Sequence, residues 1–268
     1  MKILNYKNSL VNSYKQNKRT FIFYLVLRGL VILTLIRCIF TRNYESAAIC
    51  VLSLLLFLLP AFLQKQMKIE FPPLFQAIIL GFIYAAEILG EVDHYYVLIP
   101  GWDTMLHTIN GFLCAAIGFS LIYLLNRGSK HFNLSPFYLT LVAFCFSMTV
   151  GVMWEFFEFT MDQFFALDMQ KDFIVQEIGS VTLDPNNSGM PFVIRDITDT
   201  VINTADGKTY SVNGGYLDIG IIDTMKDLMV NLVGAVVFSI VGYSTLKFSK
   251  KSAIADNLMI KPVDKSED

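Results

Sequence analysis

Six runs of apolar side chains, each long enough to cross a hydrocarbon layer, govern what this chain can fold into. Water is absent from the bilayer core, so a spanning segment must satisfy its backbone hydrogen bonds internally, which leaves helices or a closed barrel. The runs are continuous rather than alternating, which selects helices. They fall at residues 20–40, 46–63, 74–90, 103–125, 136–160 and 221–246. Only 16% of the residues are charged, against about 25% in soluble domains. The sequence therefore predicts an all-α integral membrane protein of about six transmembrane helices. Pro60 and the Pro72-Pro73 pair punctuate the turn between the second and third runs.

The basic residues set an orientation. With the N-terminus inside, the cytoplasmic flanks hold 14 Lys and Arg residues and the outer segments 4, the latter being Arg42, Lys171, Arg195 and Lys208. Both termini are accordingly expected in the cytoplasm. The expected organisation is a cytoplasmic segment over 1–19, helices one to five over 20–160, an extracytoplasmic loop over 161–220, a sixth helix over 221–246 and a cytoplasmic tail over 247–268. Within the loop, Phe192–Asn203 and Lys208–Val212 flank an Asp206-Gly207 turn, which predicts a small β-hairpin lying as a lid on the helix ends. The tail from Ser249 to Asp268 reads as a solvated, disordered end. The net charge of −2 and the short basic flanks argue against nucleic acid as a partner and leave the lipid bilayer. Cys38, Cys50, Cys114 and Cys145 lie inside apolar runs and read as small hydrophobes.

Ionisable residues inside spans are costly, so their positions carry information. Glu87 closes the third span, Asp103 and His107 open the fourth, Glu155 and Glu158 close the fifth with Asp162 just beyond, and Asp223, Asp227 and Asn231 open the sixth. The orientation above puts all of them in the outer half of the membrane. Helical spacing places small residues on the same stripes: Ser147 and Gly151 below Glu155 and Glu158, Gly111, Ala115 and Gly118 below His107, and Gly234 below Asn231. Small residues let membrane helices approach, so the stripes are expected to face one another and the acids to converge.

Convergent carboxylates need a proton, a cation or a basic neighbour. Arg37 and Lys226 are the chain's own candidates, with Glu87 and Asn231 as polar support. Oxygen ligands with one imidazole also suit a divalent metal ion, for which Asp103, His107, Glu158 and Asp227 are the candidate ligands. Three readings stay open for Asp103, His107, Glu155, Glu158, Asp223 and Asp227. They form a structural polar network, a metal-assisted or acid–base site acting on an envelope or lipid-linked substrate, or a proton- or ion-coupled transport site. Arg28 lies well inside the first span, where a backbone carbonyl or a partner subunit of a homo-oligomer would receive it.

Several of these residues sit in recognisable pieces: Trp102-Asp103-Thr104-Met105-Leu106-His107 with Asn110-Gly111-Phe112, Trp154-Glu155-Phe156-Phe157-Glu158, and Asp223-Thr224-Met225-Lys226-Asp227 with Gly234-Ala235. In them the chain resembles the YjdF-like family of bacterial inner-membrane proteins, whose activity is not established. More distantly, the order D-x-x-x-H, carboxylate pair, D…N-x-x-G is similar to the VanZ-like family. The resemblance spans roughly residues 74–162 and 218–240. It implies a bacterial plasma-membrane setting and assigns no catalytic residue.

Overall fold

The computed structural model describes residues 18–67, 69–128, 133–248 and 258–262. Six helical stretches in it are long and apolar enough to span a membrane: Lys18–Phe40, Tyr44–Gln66, Pro73–Val92, Trp102–Arg127, Pro136–Phe165 and Ile221–Lys247. They match the six apolar runs, and the fifth is longer than its run by five residues at its end.

The first span is a single helix, α1 (Lys18–Phe40). The second is two, α2 (Tyr44–Leu56) and α3 (Leu59–Met67), joined by a turn. The Asn43 side chain caps α2 by accepting the Ser46 N–H at 3.1 Å. Pro60 falls in the first turn of α3, where its missing N–H costs nothing. The third span opens as α4 (Pro73–Ile83), with proline at its first position. It continues as a nine-residue π-helical segment, Tyr84–Val92. A short helix α5 (Tyr95–Leu98) precedes α6 (Trp102–Gly128), α7 (Pro136–Phe165) and, later in the chain, α8 (Ile221–Lys247).

The chain forms two compact units, one holding the residues up to Gly151 and from Val230, the other Val152–Met229. In the first unit, α1, α2, α4 and the π segment share a core around Val31, Cys50, Leu80 and Ile88. A second core joins Phe75 of α4 to Ala115 and Phe119 of α6, Ala143 of α7 and Phe238 of α8. Most other apolar side chains are exposed, Leu33 at 65% and Ile240 at 60% among them. In a spanning protein that exposure is lipid contact. Cys145 is on this exposed surface, unlike the buried Cys38 and Cys50.

Two helices of the second core, α6 and α8, meet with almost no space between backbones, and α7 packs against them. A β-carbon on Gly111 of α6 would stand 2.1 Å from the Asn231 carbonyl oxygen of α8, and one on Gly234 would stand 2.1 Å from the Thr108 carbonyl oxygen. Gly118 of α6 faces Phe146 of α7, and Gly151 of α7 faces the Asn231 side chain. Contacts between Asn110 and Asn231, then Phe112 and Phe238, then Phe119 and Gly242 advance together, so α6 and α8 run parallel.

The end of this unit departs from the sequence expectation. The C-terminal region was expected to be solvated, yet Leu258 and Ile260 are 6% and 2% exposed and belong to the second core. Strand β8 (Lys261–Pro262) pairs antiparallel with β1 (Ile69–Glu70), which lies between α3 and α4. The apolar run Leu258-Met259-Ile260 is the cause: Leu258 and Ile260 are buried in that core and Met259 packs against it. The rest of the tail, and the segment 1–17, lie outside the described residues.

The second unit carries six short strands in antiparallel pairs: β2 (Ile174–Val175) with β7 (Tyr216–Leu217), β3 (Ile178–Ser180) with β4 (Phe192–Ile194), and β5 (Asp199–Asn203) with β6 (Thr209–Asn213). The expected hairpin is β5–β6, turning at Gly207 with φ +81°. Its first strand is shorter than the apolar pattern suggested. Residues 192–194 pair with β3 instead, and Asp196, with φ 56°, breaks the extended backbone between the two stretches. Three hydrogen bonds from the Ser188 hydroxyl and the Asn186 and Ser188 amides hold the Asp184 carboxyl below the ordinary carboxylate range.

The glycine contacts rank substitutions in advance. Gly111→Val drives a side chain into the α8 backbone and is expected to cost upwards of about 3 kcal/mol, the upper end for overpacking. Gly29→Ala, whose β-carbon would meet nothing within 4 Å, is expected to be neutral or slightly stabilising. Thermal-aggregation midpoints of the two variants in detergent check the ranking; equal midpoints would contradict it.

Candidate functional site

The residue that organises the three glycine-lined helices is Asn231, which is fully buried. Its amide oxygen accepts from the Asn110 side chain at 3.3 Å, and its amide nitrogen donates to the Ser147 carbonyl oxygen at 3.5 Å. The Ser147 hydroxyl in turn donates to the Gly111 carbonyl at 2.7 Å. One side chain from α8 thus reaches both α6 and α7. The small-residue stripes expected from spacing do face one another here, because Gly111, Gly151 and Gly234 leave no other filler for the space.

Moving one turn towards the start of α6 from Asn110 brings His107 and Asp103. The imidazole Nε2 lies 3.4 Å from the Asp103 carboxylate, and His107 is 8% exposed. Asp103 sits in the first turn of its helix, where the exposed backbone N–H groups favour negative charge. Glu87 occupies the π segment of the third span. The Trp102 indole donates to the Ala85 carbonyl in the same segment at 3.3 Å. This ties the start of α6 to the helix that carries Glu87.

In the second unit, the buried acids divide by what they do. Glu158 accepts the Trp154 indole N–H at 2.8 Å and is buried, as is Glu155 one turn earlier on α7. Asp227 is 1% exposed, on the same face of α8 as Asn231 and one turn before it. Asp162 and Asp223 instead hold the chain that follows α7. Asp162 accepts the Met169 and Gln170 amides at 2.7 and 2.8 Å, and Asp223 accepts the Lys171 amide at 2.8 Å. Asp218 joins them, accepting from Phe173 at 2.6 Å and from Ile222 at 2.8 Å. Gln170 adds a hydrogen bond to Thr224.

The two basic residues expected to balance the acids are engaged elsewhere. Arg37 pairs with Asp93 at 2.8 Å, an exposed ion pair between α1 and the end of the third span. Lys226 places its ammonium over the Phe173 ring, 5.5 Å from the centroid. Arg28 turns to Tyr24 on its own helix, donating to the phenol and lying over its ring, so its partner is internal. Asn110 and Trp154 were not weighed as site residues from the sequence. Asn110 could have been found three residues beyond His107 on the same stripe, and Trp154 four before Glu158.

Asn231→Leu tests the crossing. Loss of the interhelical hydrogen bonds is expected to cost about 1–2 kcal/mol, near the top of the range for polar contacts inside membranes. The detergent melting midpoint should fall, and Asn231→Gln should not rescue it, because its extra methylene has no room beside Gly111 and Gly151. An unchanged midpoint for Asn231→Leu would remove the crossing from the account of stability.

No curated protein and no solved structure matches the chain. Residues 23–248 match a family described as "Predicted membrane protein (DUF2238)". That match covers most of the chain, both units included, and the chain belongs to this family of multi-pass membrane proteins.

Proposed function

We propose that the chain holds a divalent cation at the Asp103–His107 end of α6 and uses it on an envelope or lipid-linked substrate. The observation that carries this reading is the Asp103–His107 pair, a buried imidazole 3.4 Å from a half-buried carboxylate. Support comes from helix register. One turn before Asn231, α8 carries Asp227; one turn beyond Gly151, α7 carries Glu155, and Glu158 follows. Asp103, His107, Glu158 and Asp227 are the proposed ligands, a set of three carboxylates and one imidazole that suits a hard or borderline divalent ion. Such an ion would polarise a phosphoryl or carbonyl oxygen and lower the pKa of a bound water. Glu155 is the remaining acid on the same stripe and the proposed proton acceptor. Asp162 and Asp223 have a structural role on this reading, since their oxygens receive loop amides.

The site would open to the outer face of a bacterial plasma membrane, with both termini in the cytoplasm and the 161–220 segment outside. The basic flanks support that orientation, and the resemblance to YjdF-like inner-membrane proteins supports the bacterial plasma membrane. An alkaline phosphatase reporter inserted near Asn187 should be active, and a green fluorescent reporter at the C-terminus should fluoresce. The opposite pattern would reverse the membrane orientation and move the site to the cytoplasmic side.

Elemental analysis of the detergent-purified protein tests the cation. Near-stoichiometric metal is expected in the native chain and its loss in Asp103→Asn, His107→Gln and Asp227→Asn, each remaining monodisperse. A native chain that is free of metal and unmoved in melting midpoint by added Mg²⁺, Mn²⁺, Zn²⁺ or Ca²⁺ would sink the proposal and leave the acids as a structural or proton-carrying network.

A further inference from the structure

We infer that residues 258–262 form a detachable latch that closes the end of the bundle where α6 finishes and α7 begins. The seat is built from three kinds of contact. Leu258 and Ile260 are buried in the core that also holds Phe71, Phe75 and Phe119. Ile260 donates its backbone N–H to the Ser120 hydroxyl at 3.1 Å, while that hydroxyl donates to the Ala116 carbonyl at 2.7 Å. The register Ile69↔Pro262 and Glu70↔Lys261 adds the segment as a second strand to β1. Ser120 is fully buried and lies about two turns inside α6, so the segment enters the bundle rather than lying across its rim.

The receiving side is itself fastened. The Gln64 side chain of α3 accepts the Phe71 N–H at 3.0 Å, which ties the 69–71 stretch to α3 through a bond that does not involve the latch. The seat is therefore a preformed groove with a free strand edge, two apolar sockets and one buried hydroxyl. Addition of a short strand to an exposed edge, with neighbouring side chains set into an apolar core, is a way proteins capture a peptide.

Detachment follows from the small scale of the attachment. Two buried side chains, the partly buried Met259, one short strand pair and the Ile260–Ser120 hydrogen bond oppose the ordering of five residues, and these terms are of similar size. The balance can therefore be tipped by a modest change in conditions, which distinguishes a latch from a permanent part of the core. When it leaves, Ser120, Phe71 and Phe75 lose cover. The helix that loses support is α6, whose other end carries Asp103 and His107.

A chain with Ser120→Cys and Ile260→Cys, and with Cys114 and Cys145 replaced by serine, tests the seat. Mild oxidation of the full-length protein in membranes should yield an intramolecular cross-link, found by mass spectrometry of the linked peptides. A failure to cross-link, or cross-links only between differently tagged copies, would overturn an intramolecular latch. Detachment is read separately from maleimide labelling of Ser120→Cys alone. Labelling of the folded chain should be slow but go to completion, and Leu258→Asp with Ile260→Asp should speed it about tenfold or more. Absence of labelling over hours in the undoubled chain means a permanent plug, and immediate labelling means an empty seat; either defeats the proposal, even where the aspartate variant does not fold.

Discussion

The close approach of α6 and α8 at Gly111 and Gly234 is the constraint on which the rest of the bundle depends. Lipid supplies no hydrophobic drive to bring apolar helices together, so association comes from packing and interhelical hydrogen bonds. A helix pair whose absent β-carbons would stand 2.1 Å from facing carbonyl oxygens has reached the limit of approach. At that separation Asn231 spans from α8 to Asn110 and to the Ser147 carbonyl without a longer side chain. Ser147 completes the arrangement by bonding Gly111, the residue whose lack of a side chain permits it. Packing and polar contact are here one device, and neither exists without the other.

The helices that carry these glycines also carry acids. Asp103 stands with His107 on α6, Glu155 on α7 and Asp227 on α8, each a turn or more from the glycine of its own stripe. Carboxylates near one another in a medium of low dielectric raise one another's pKa unless a proton, a cation or donors intervene. For Asp162, Asp218 and Asp223 the donors are loop amides, and the outcome is a fastened chain after α7. For Glu158 one donor is the Trp154 indole. The acids of this chain are thus two populations, one spent on local architecture and one carried on the packed faces.

How much of this was legible beforehand depended on whether the cause was local. The six spans were, because length and apolarity are read along the chain. The end of α7 was not, because hydrogen bonding carries a helix through Met161–Phe165 after its apolar composition has thinned. The glycine stripes were legible as spacing, and the structure sets Gly111 against Asn231 and Gly151 against the same side chain. The partner of Arg37 was not, since Asp93 is 56 positions away and nothing in the sequence marks the two as neighbours. The split of the first hairpin strand turned on one residue, Asp196, whose positive φ no alternation pattern foretells. Leu258 and Ile260 gave no signal because Leu258-Met259-Ile260 is too short an apolar run, in a polar tail, to mark a buried segment.

The π-helical segment has a consequence for how this region tolerates change in length. Its bonds run one residue further back than those of an α-helix, as in the Asp93 amide to the Ile88 carbonyl at 2.9 Å. The wider winding absorbs an extra residue within the span, and it offers the Ala85 carbonyl to the Trp102 indole. Shortening the segment by one residue would suit the backbone, restoring the tighter helix. It would also turn Val92 and Asp93 about 100° around the axis relative to α4, away from the core and from Arg37. The geometry of the third span is therefore a compromise in which the peptide chain accepts the rarer helix so that two faces can point correctly.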